Sequence, residues 1–403
     1  MNNKIIFIIF TVTLDAMGVG LIMPVMPDLI REVSNTDLSN AAFWGGLLTF
    51  TYALMQFLFG PLIGNLSDRF GRRPVLIISL ICMGLDYFVM ALAPTLWLLF
   101  LARAVSGIAG ATYSTAAAYL SDISAKGERA ANFGLIGAAF GIGFVLGPAI
   151  GGLLGEYGIR TPFIAAGVLA ILNALFGYFV LPETLRPAQR RTFEWQRANP
   201  FAALLRLRHL PTIGSLMLVV FVYSVANHVY PTIWSFYTIE QFQWSLGTVG
   251  LSLAIYGVCS ATVQVAVLPR MLKYWGEYTT IRVGLLVSLL SFLFLSVIDV
   301  GWMIFISMPI TAIGAVVGPS LQGMMADRVG DNEQGELQGI FSSVVAISMI
   351  FSPLLMTNVF KEFTEDGAVY YLPGAPFAAA AVLAVISAII FYRAMRSDKI
   401  KSS

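Results

Sequence analysis

The sequence predicts an all-α integral membrane protein with twelve transmembrane helices in two six-helix halves, and three observations carry that expectation. Of its 403 residues, 58% are hydrophobic and only 11% charged, whereas soluble domains carry about 25% charged residues. Apolar stretches recur at about 4–26, 41–66, 75–93, 95–121, 131–154, 162–181, 211–239, 245–268, 278–298, 302–326, 335–358 and 375–396, with the lengths that helices need to cross a bilayer core. A single long polar interruption, 182–210, carries Pro182, Pro187, Pro200 and six arginines, and it divides the stretches six and six. The expected organisation is a first half over 1–181, a linker over 182–210, and a second half with a short tail over 211–403.

Charge distribution adds orientation. The net charge of +2 is too small to imply nucleic-acid binding. Taking connectors alternately, all but five of the 24 basic residues (Arg31, Arg103, Arg160, Arg282 and Lys361) fall on one side. Short positive connectors stay inside, so both termini are expected in the cytoplasm. The two cysteines, Cys82 and Cys259, lie within apolar stretches, which argues against a disulfide framework or metal knuckle. The first stretch lacks a small-residue cleavage pattern and is expected to stay as the first helix.

Taken in order, the helices carry few polar groups, and an ionisable one inside a membrane costs about 2.5–3.5 kcal/mol on insertion scales. Asp15, Asp86, Arg103 and His228 therefore stand out. Asp15 sits mid-way along the first helix, ahead of Pro24 and Pro27. Burial disfavours a charged carboxylate, so Asp15 is a candidate for proton exchange, or else an ion-pair member that holds the bundle together. The second helix carries Gln56 and ends in a connector, Gly60 to Pro74, that contains Gly64, Asp68, Arg69, Gly71, Arg72 and Arg73. Gly64 is expected to permit close helix approach, Gly71 a tight turn, and Asp68 either an ion pair with an arginine or a place at a helix N-terminus, where a carboxylate is favoured. Asp86 belongs to the third helix. Arg103 in the fourth is a fixed cation that needs a carboxylate, carbonyl or water beside it, and Tyr113 follows on the same helix.

The fifth helix is glycine-rich, with Gly143, Gly147, Pro148, Gly151 and Gly152 after Gly134, Gly137 and Gly141. That spacing predicts close packing and a kink at Pro148. The linker run Phe193-Glu194-Trp195 reads as part of a solvated linker resting on the membrane surface, with an amphipathic surface segment as the alternative. In the seventh helix, Asn227, His228, Tyr230 and Trp234 surround the helix breaker Pro231. The eighth offers Ser260 and Gln264, the ninth Ser288 and the tenth Gln322. After the eighth helix, Pro269, Arg270, Lys273, Gly276 and Glu277 echo the connector that follows the second. No nucleophile-histidine pair, metal cluster or phosphate-cradling loop appears, so an enzyme or ATP-driven pump is not expected.

The connector from Gly64 to Arg73 resembles the signature of the major facilitator superfamily: Gly, three residues, Asp-Arg, one residue, Gly-Arg-Arg. The match is full, and it implies conformational switching at these residues and a central site alternately open to either side. The fifth helix resembles the antiporter motif of drug exporters in that superfamily, which favours export. Over nearly the whole chain, segments such as Leu14-Asp15-Ala16-Met17-Gly18, Tyr52-Ala53-Leu54-Met55-Gln56, Leu85-Asp86-Tyr87 and Glu333-Gln334-Gly335-Glu336-Leu337-Gln338-Gly339 resemble the bacterial tetracycline efflux proteins. That resemblance implies exchange of a cytoplasmic drug, carried as a divalent-metal chelate, for an incoming proton across the bacterial inner membrane.

Asp15, Gln56, Asp86 and Arg103 map onto the family's intramembrane polar positions. Two positions depart from it: Ser260 stands where the family has a histidine, and Ser288 where it has an aspartate. The expectation is a proton-coupled antiporter with Asp15, Asp86 and Arg103 in coupling. Gln56, Tyr113, Asn227, His228, Tyr230, Trp234, Ser260, Gln264, Ser288 and Gln322 are candidates for contact with an amphipathic drug, tetracycline or another hydrophobic antibiotic. No catalytic or metal residue and no cofactor beyond the coupling proton is expected, and the partners are a small-molecule substrate and the lipid bilayer, with the chain working as a monomer. The alternative is proton-coupled uptake or export of a metabolite or siderophore-like solute.

Overall fold

A computed structural model describes residues 3–110, 112–123, 129–185, 213–330 and 333–402, with positions 190, 193 and 199–202 between them. Most of the 182–210 linker, including Glu194 and Trp195, and the side chain of Tyr113 lie outside the described residues. The first span is Asn3–Ile22, followed by a short helix, Met26–Ser34. The second is Leu38–Phe70, the third Arg72–Leu92, the fifth Arg129–Tyr157 and the sixth Thr161–Val180. The fourth comes in two pieces, Leu96–Ala109 and Thr112–Ile123. The seventh is Gly214–Asn227 plus Val229–Phe242; the eighth is Leu246–Thr262, continued by a π turn over Val263–Val267. Leu268–Val297 contains the end of the eighth and the whole ninth, separated by non-helical Gly276. The tenth runs through Gly301–Thr311, a 3-10 turn Ala312–Val316 and Val317–Ala326; the eleventh is Gln334–Thr364 and the twelfth Ala375–Ser402.

Among the described residues, 10 helical runs are long and apolar enough to cross a membrane. One of them, Leu246–Val297, holds two spans, and the interrupted fourth adds another, which accounts for all twelve.

The interruptions have local causes. Pro231 has no N–H to offer the Asn227 carbonyl, and the seventh span breaks at His228, between them. Pro319 likewise leaves the Ala315 carbonyl without its helical donor, and the preceding turn tightens to 3-10. Pro148 does not end the fifth span, which runs through it without a break.

Two compact units emerge. The first comprises 1–37, 51–200 and 244–257; the second comprises 38–50, 201–243 and 258–403. Within the first, the first span packs along the fifth and the third along the sixth, around a core that includes Phe7, Ile8, Leu76, Leu80, Tyr119 and Ile136. The start of the eighth span belongs here, where Glu156 accepts a hydrogen bond from the Gly247 amide at 2.8 Å. Within the second unit, the seventh and ninth spans pack on the twelfth, with Leu216, Val220, Ile281, Leu321 and Phe391 in the core. The start of the second span belongs to this unit, with Ser39 bonded to Thr364 at 2.9 Å.

Candidate functional site

A buried polar cluster forms around the Asp86–Arg103 ion pair in the first unit. Asp86 is 4% exposed and Arg103 9%, so the carboxyl group is the compensating partner that the buried guanidinium requires. The guanidinium also lies over the Tyr52 ring, 5.5 Å from its centroid. Tyr52 connects onward, because Gln56 directs its amide to the Tyr52 hydroxyl at 3.4 Å and to the Gly110 carbonyl at 3.0 Å. That carbonyl is available because the fourth span breaks there. Asp15 is half-buried, and Tyr87 lies within electrostatic reach of Asp15, Asp86, Arg103 and Tyr52. The Tyr87 ring packs on Gly18, where an added Cβ would stand 3.0 Å from its hydroxyl. Sequence reasoning singled out Asp15, Gln56, Asp86 and Arg103, and the structure brings them together; it missed Tyr52 and Tyr87, which are the material between them.

The fifth-span glycines explain how Asp15 is held. An added Cβ at Gly147 would lie 2.6 Å from the Met17 carbonyl oxygen and 2.8 Å from Gly20 Cα; one at Gly143 would run into Thr13 and Ala16, and one at Gly151 into Leu21. Gly143, Gly147 and Gly151 thus seat the first-span backbone on both sides of Asp15. Gly152 and Pro148 form a second contact with Leu246 and Gly250 of the eighth span. Gly134, Gly137 and Gly141 face open space instead.

The connector between the second and third spans is built around Gly71, whose φ of 111° is one that side chains rarely adopt. Arg72 pairs with Asp68 at 2.6 Å and with Asp122 at 3.3 Å. Arg73 donates to the Tyr178 carbonyl at 2.6 Å, and Arg69 lies over Phe70, 5.2 Å from the ring centroid. The close approach expected at Gly64 is not made, since nothing lies within 4 Å of its missing Cβ. A residue outside the motif completes the corner. Glu183, three residues beyond the sixth span, accepts the Arg72 and Arg73 amides at 3.0 and 3.3 Å, capping the third span from about 110 residues away in sequence. The echo after the eighth span reproduces this backbone: Gly276 also has positive φ, 70°.

In the second unit, Ser288 is 5% exposed and hydrogen-bonds the Tyr223 hydroxyl at 2.9 Å. Tyr223 gives its single proton to the Gly314 carbonyl at 2.8 Å, so Ser288 is the donor in their pair, and Asn227 adds a donor at 3.5 Å. His228, at the break of the seventh span, holds its Nδ1 2.6 Å from the Ser224 carbonyl, which fixes a proton on Nδ1. Tyr230 and Trp234 join an aromatic cluster with Phe292 and Phe377; Tyr230 lies 5.6 Å from Phe292 and 5.8 Å from Phe377. Gln264 is exposed on the π turn and reaches Ser260 at 3.4 Å. Gln322 bonds Gln338. Among the described residues, no group of three His, Cys, Asp or Glu side chains could hold a metal ion.

The description "Major Facilitator Superfamily" belongs to the family model that matches residues 8–353 and, again, 216–403. The chain belongs to this superfamily. As a member of it, the protein is a multi-pass membrane transporter rather than an enzyme. It is similar to the class C tetracycline resistance protein of Escherichia coli, at 41% identity over 89% of this chain and 90% of that one. The class G protein of Vibrio anguillarum is 40% identical over 90% and 91%. The quinolone resistance protein NorA of Staphylococcus aureus is 27% identical over 91% and 92%. The crystal structure of a human organic anion transporter shares the superfamily fold, with a TM-score of 0.71 at 22% identity over 97% of this chain and all of that one.

Proposed function

We propose that this superfamily member is a proton-coupled antiporter that exports small amphipathic drugs from the bacterial cytoplasm, with tetracycline or another hydrophobic antibiotic as substrate. The observation that carries the reading is the polar cluster of the first unit, in which one carboxylate is committed and another is not. Asp86 is tied to Arg103, which leaves Asp15 as the group that exchanges a proton. The Asp86–Arg103 pair supplies a fixed dipole beside it, and Tyr52 and Gln56 hold that dipole in place. A proton arriving on Asp15 cancels the charge that would hold a cationic substrate, and its departure restores that charge, so the two ligands alternate on one carboxylate.

The second unit bears on the substrate. Ser288 and Tyr223 form a neutral cluster, and neither can balance the charge of a drug chelated to a divalent metal. The half-buried ring of Tyr230, backed by buried Trp234, Phe292 and Phe377, suits a hydrophobic drug body. Export of neutral or cationic hydrophobic drugs is therefore expected to exceed export of the tetracycline chelate, although the relatives' names make tetracycline the first compound to try. The protein is placed by this reading in the bacterial inner membrane as a monomer, with both termini in the cytoplasm and the proton as its coupling ion.

The test is drug exchange driven by a pH gradient in reconstituted vesicles, comparing tetracycline with and without magnesium against neutral and cationic drugs. Uptake of hydrophobic drugs that collapses with the gradient is the expected result. Strong magnesium-dependent tetracycline exchange would overturn the substrate preference, and transport indifferent to the gradient would overturn proton coupling.

A further inference from the structure

An exposed arginine set between two tyrosines lies on the surface of the second unit, away from every group used above. Arg282 is exposed on the ninth span, and its guanidinium is flanked by two rings: Tyr278 at 5.4 Å and Tyr392 of the twelfth span at 5.2 Å. Tyr278 is itself fixed by stacking on buried Phe391, 5.6 Å between centroids. Among the described residues no carboxylate comes within ion-pair distance of Arg282.

The helix face that Arg282 heads is apolar. Leu286, Leu290, Leu293 and Val297 follow it at helical spacing and are all exposed, which marks the stripe that meets acyl chains. Val385, Ile389 and Tyr392 make a parallel exposed stripe on the twelfth span. From Arg282 to Val297 the helix rises about 22 Å, and Asp299 lies just beyond. Arg282 and Asp299 therefore lie near the two ends of a span that crosses a hydrocarbon core about 30 Å thick, and a long arginine side chain this close to the end reaches toward the headgroups.

We propose that Arg282, between Tyr278 and Tyr392, binds the phosphate of an anionic phospholipid. Among the described residues the guanidinium is held by these two ring contacts and makes no hydrogen bond within the protein, so its N–H groups are left for a phosphate, which arginine can bond through two oxygens at once. The two apolar stripes receive the acyl chains, which is what selects a lipid over a free anion.

The experiment is native mass spectrometry of the purified full chain titrated with phosphatidylglycerol, with phosphatidylcholine and inorganic phosphate as comparators. One phosphatidylglycerol is expected to bind more tightly than phosphatidylcholine. Arg282→Gln should weaken it about tenfold, the loss of one charge-assisted contact, and Tyr392→Leu should weaken it to a lesser degree. Arg393→Gln, which alters an exposed arginine outside the cluster, should leave binding unchanged. Arg282 and Tyr392 are surface residues, and retained drug transport will establish that the variants are folded. Unchanged affinity in Arg282→Gln, equal retention of phosphatidylcholine, or displacement of the lipid by millimolar phosphate would each overturn the assignment.

Discussion

Replacing Gly147 with alanine would put a methyl group 2.6 Å from the Met17 carbonyl oxygen and 2.8 Å from Gly20 Cα. Both are backbone atoms of a helix, so no side chain can swing aside. The first and fifth spans must separate by about 0.8 Å to restore ordinary contact. Overpacking on this scale costs about 1–3 kcal/mol, and the seam it opens is the one along which the first and fifth spans pack in the first unit. Gly137→Ala supplies the internal comparison. It lies on the same helix with nothing within 4 Å of the added methyl, and alanine is the better helix former by about 1 kcal/mol. Thermal unfolding of the two purified variants in detergent should show Gly147→Ala melting several degrees below the native chain, with Gly137→Ala at or slightly above it. Equal melting of the two variants would refute the claim that the glycine seam, rather than glycine content, sets how the first span is held.

Asp15→Asn should express normally and lose drug-dependent proton movement, read from a pH-sensitive dye trapped in vesicles; undiminished proton exchange would remove Asp15 from coupling. Asp86→Asn should destabilise the protein by about 3–5 kcal/mol because Arg103 is left buried without a counter-charge, and adding Arg103→Gln should recover part of that loss. Strict additivity of the two changes in melting experiments would mean that the pair does not act as a unit. Glu183→Ala should cost about 1 kcal/mol as a lost helix cap and speed hydrogen exchange at the Arg72 and Arg73 amides, while leaving exchange in the twelfth span unchanged. Asp68→Asn should slow switching, followed as the rate of drug exchange, without changing equilibrium drug affinity; a matching fall in affinity would make Asp68 a binding residue.

The spans were legible because a bilayer demands long apolar helices, and the corner at Gly71 was legible because only glycine accepts its φ. The corresponding Gly276 was legible from its place in the chain even though the charges around it had changed. What sequence could not supply were partners brought in by packing. Glu183 and Asp122 belong to other segments, and their carboxylates meet the connector only once the third, fourth and sixth spans are side by side. Tyr52 stood in a segment that resembled the family, but nothing marked its ring as a partner for Arg103, since an aromatic residue in a membrane helix is ordinary until an arginine is found above it. Ser288 was marked by its departure from a family pattern, but the pattern said nothing of the Tyr223 hydroxyl that occupies it. The break at Gly110 has no proline to announce it.

That break bears on how the chain is made. The first piece of the fourth span, Leu96–Ala109, is short for a crossing, it carries Arg103, and it ends on a carbonyl that Gln56 must satisfy. Such a segment is a poor candidate for entering the bilayer by its own hydrophobicity. Yet Gln56 and Asp86 both precede it in the chain, so a ribosome working from the N-terminus has delivered the acceptor for the arginine and the donor for the carbonyl before either is needed. The order of residues in the gene is thus also an assembly schedule, in which the least insertable helix emerges only after its two helpers.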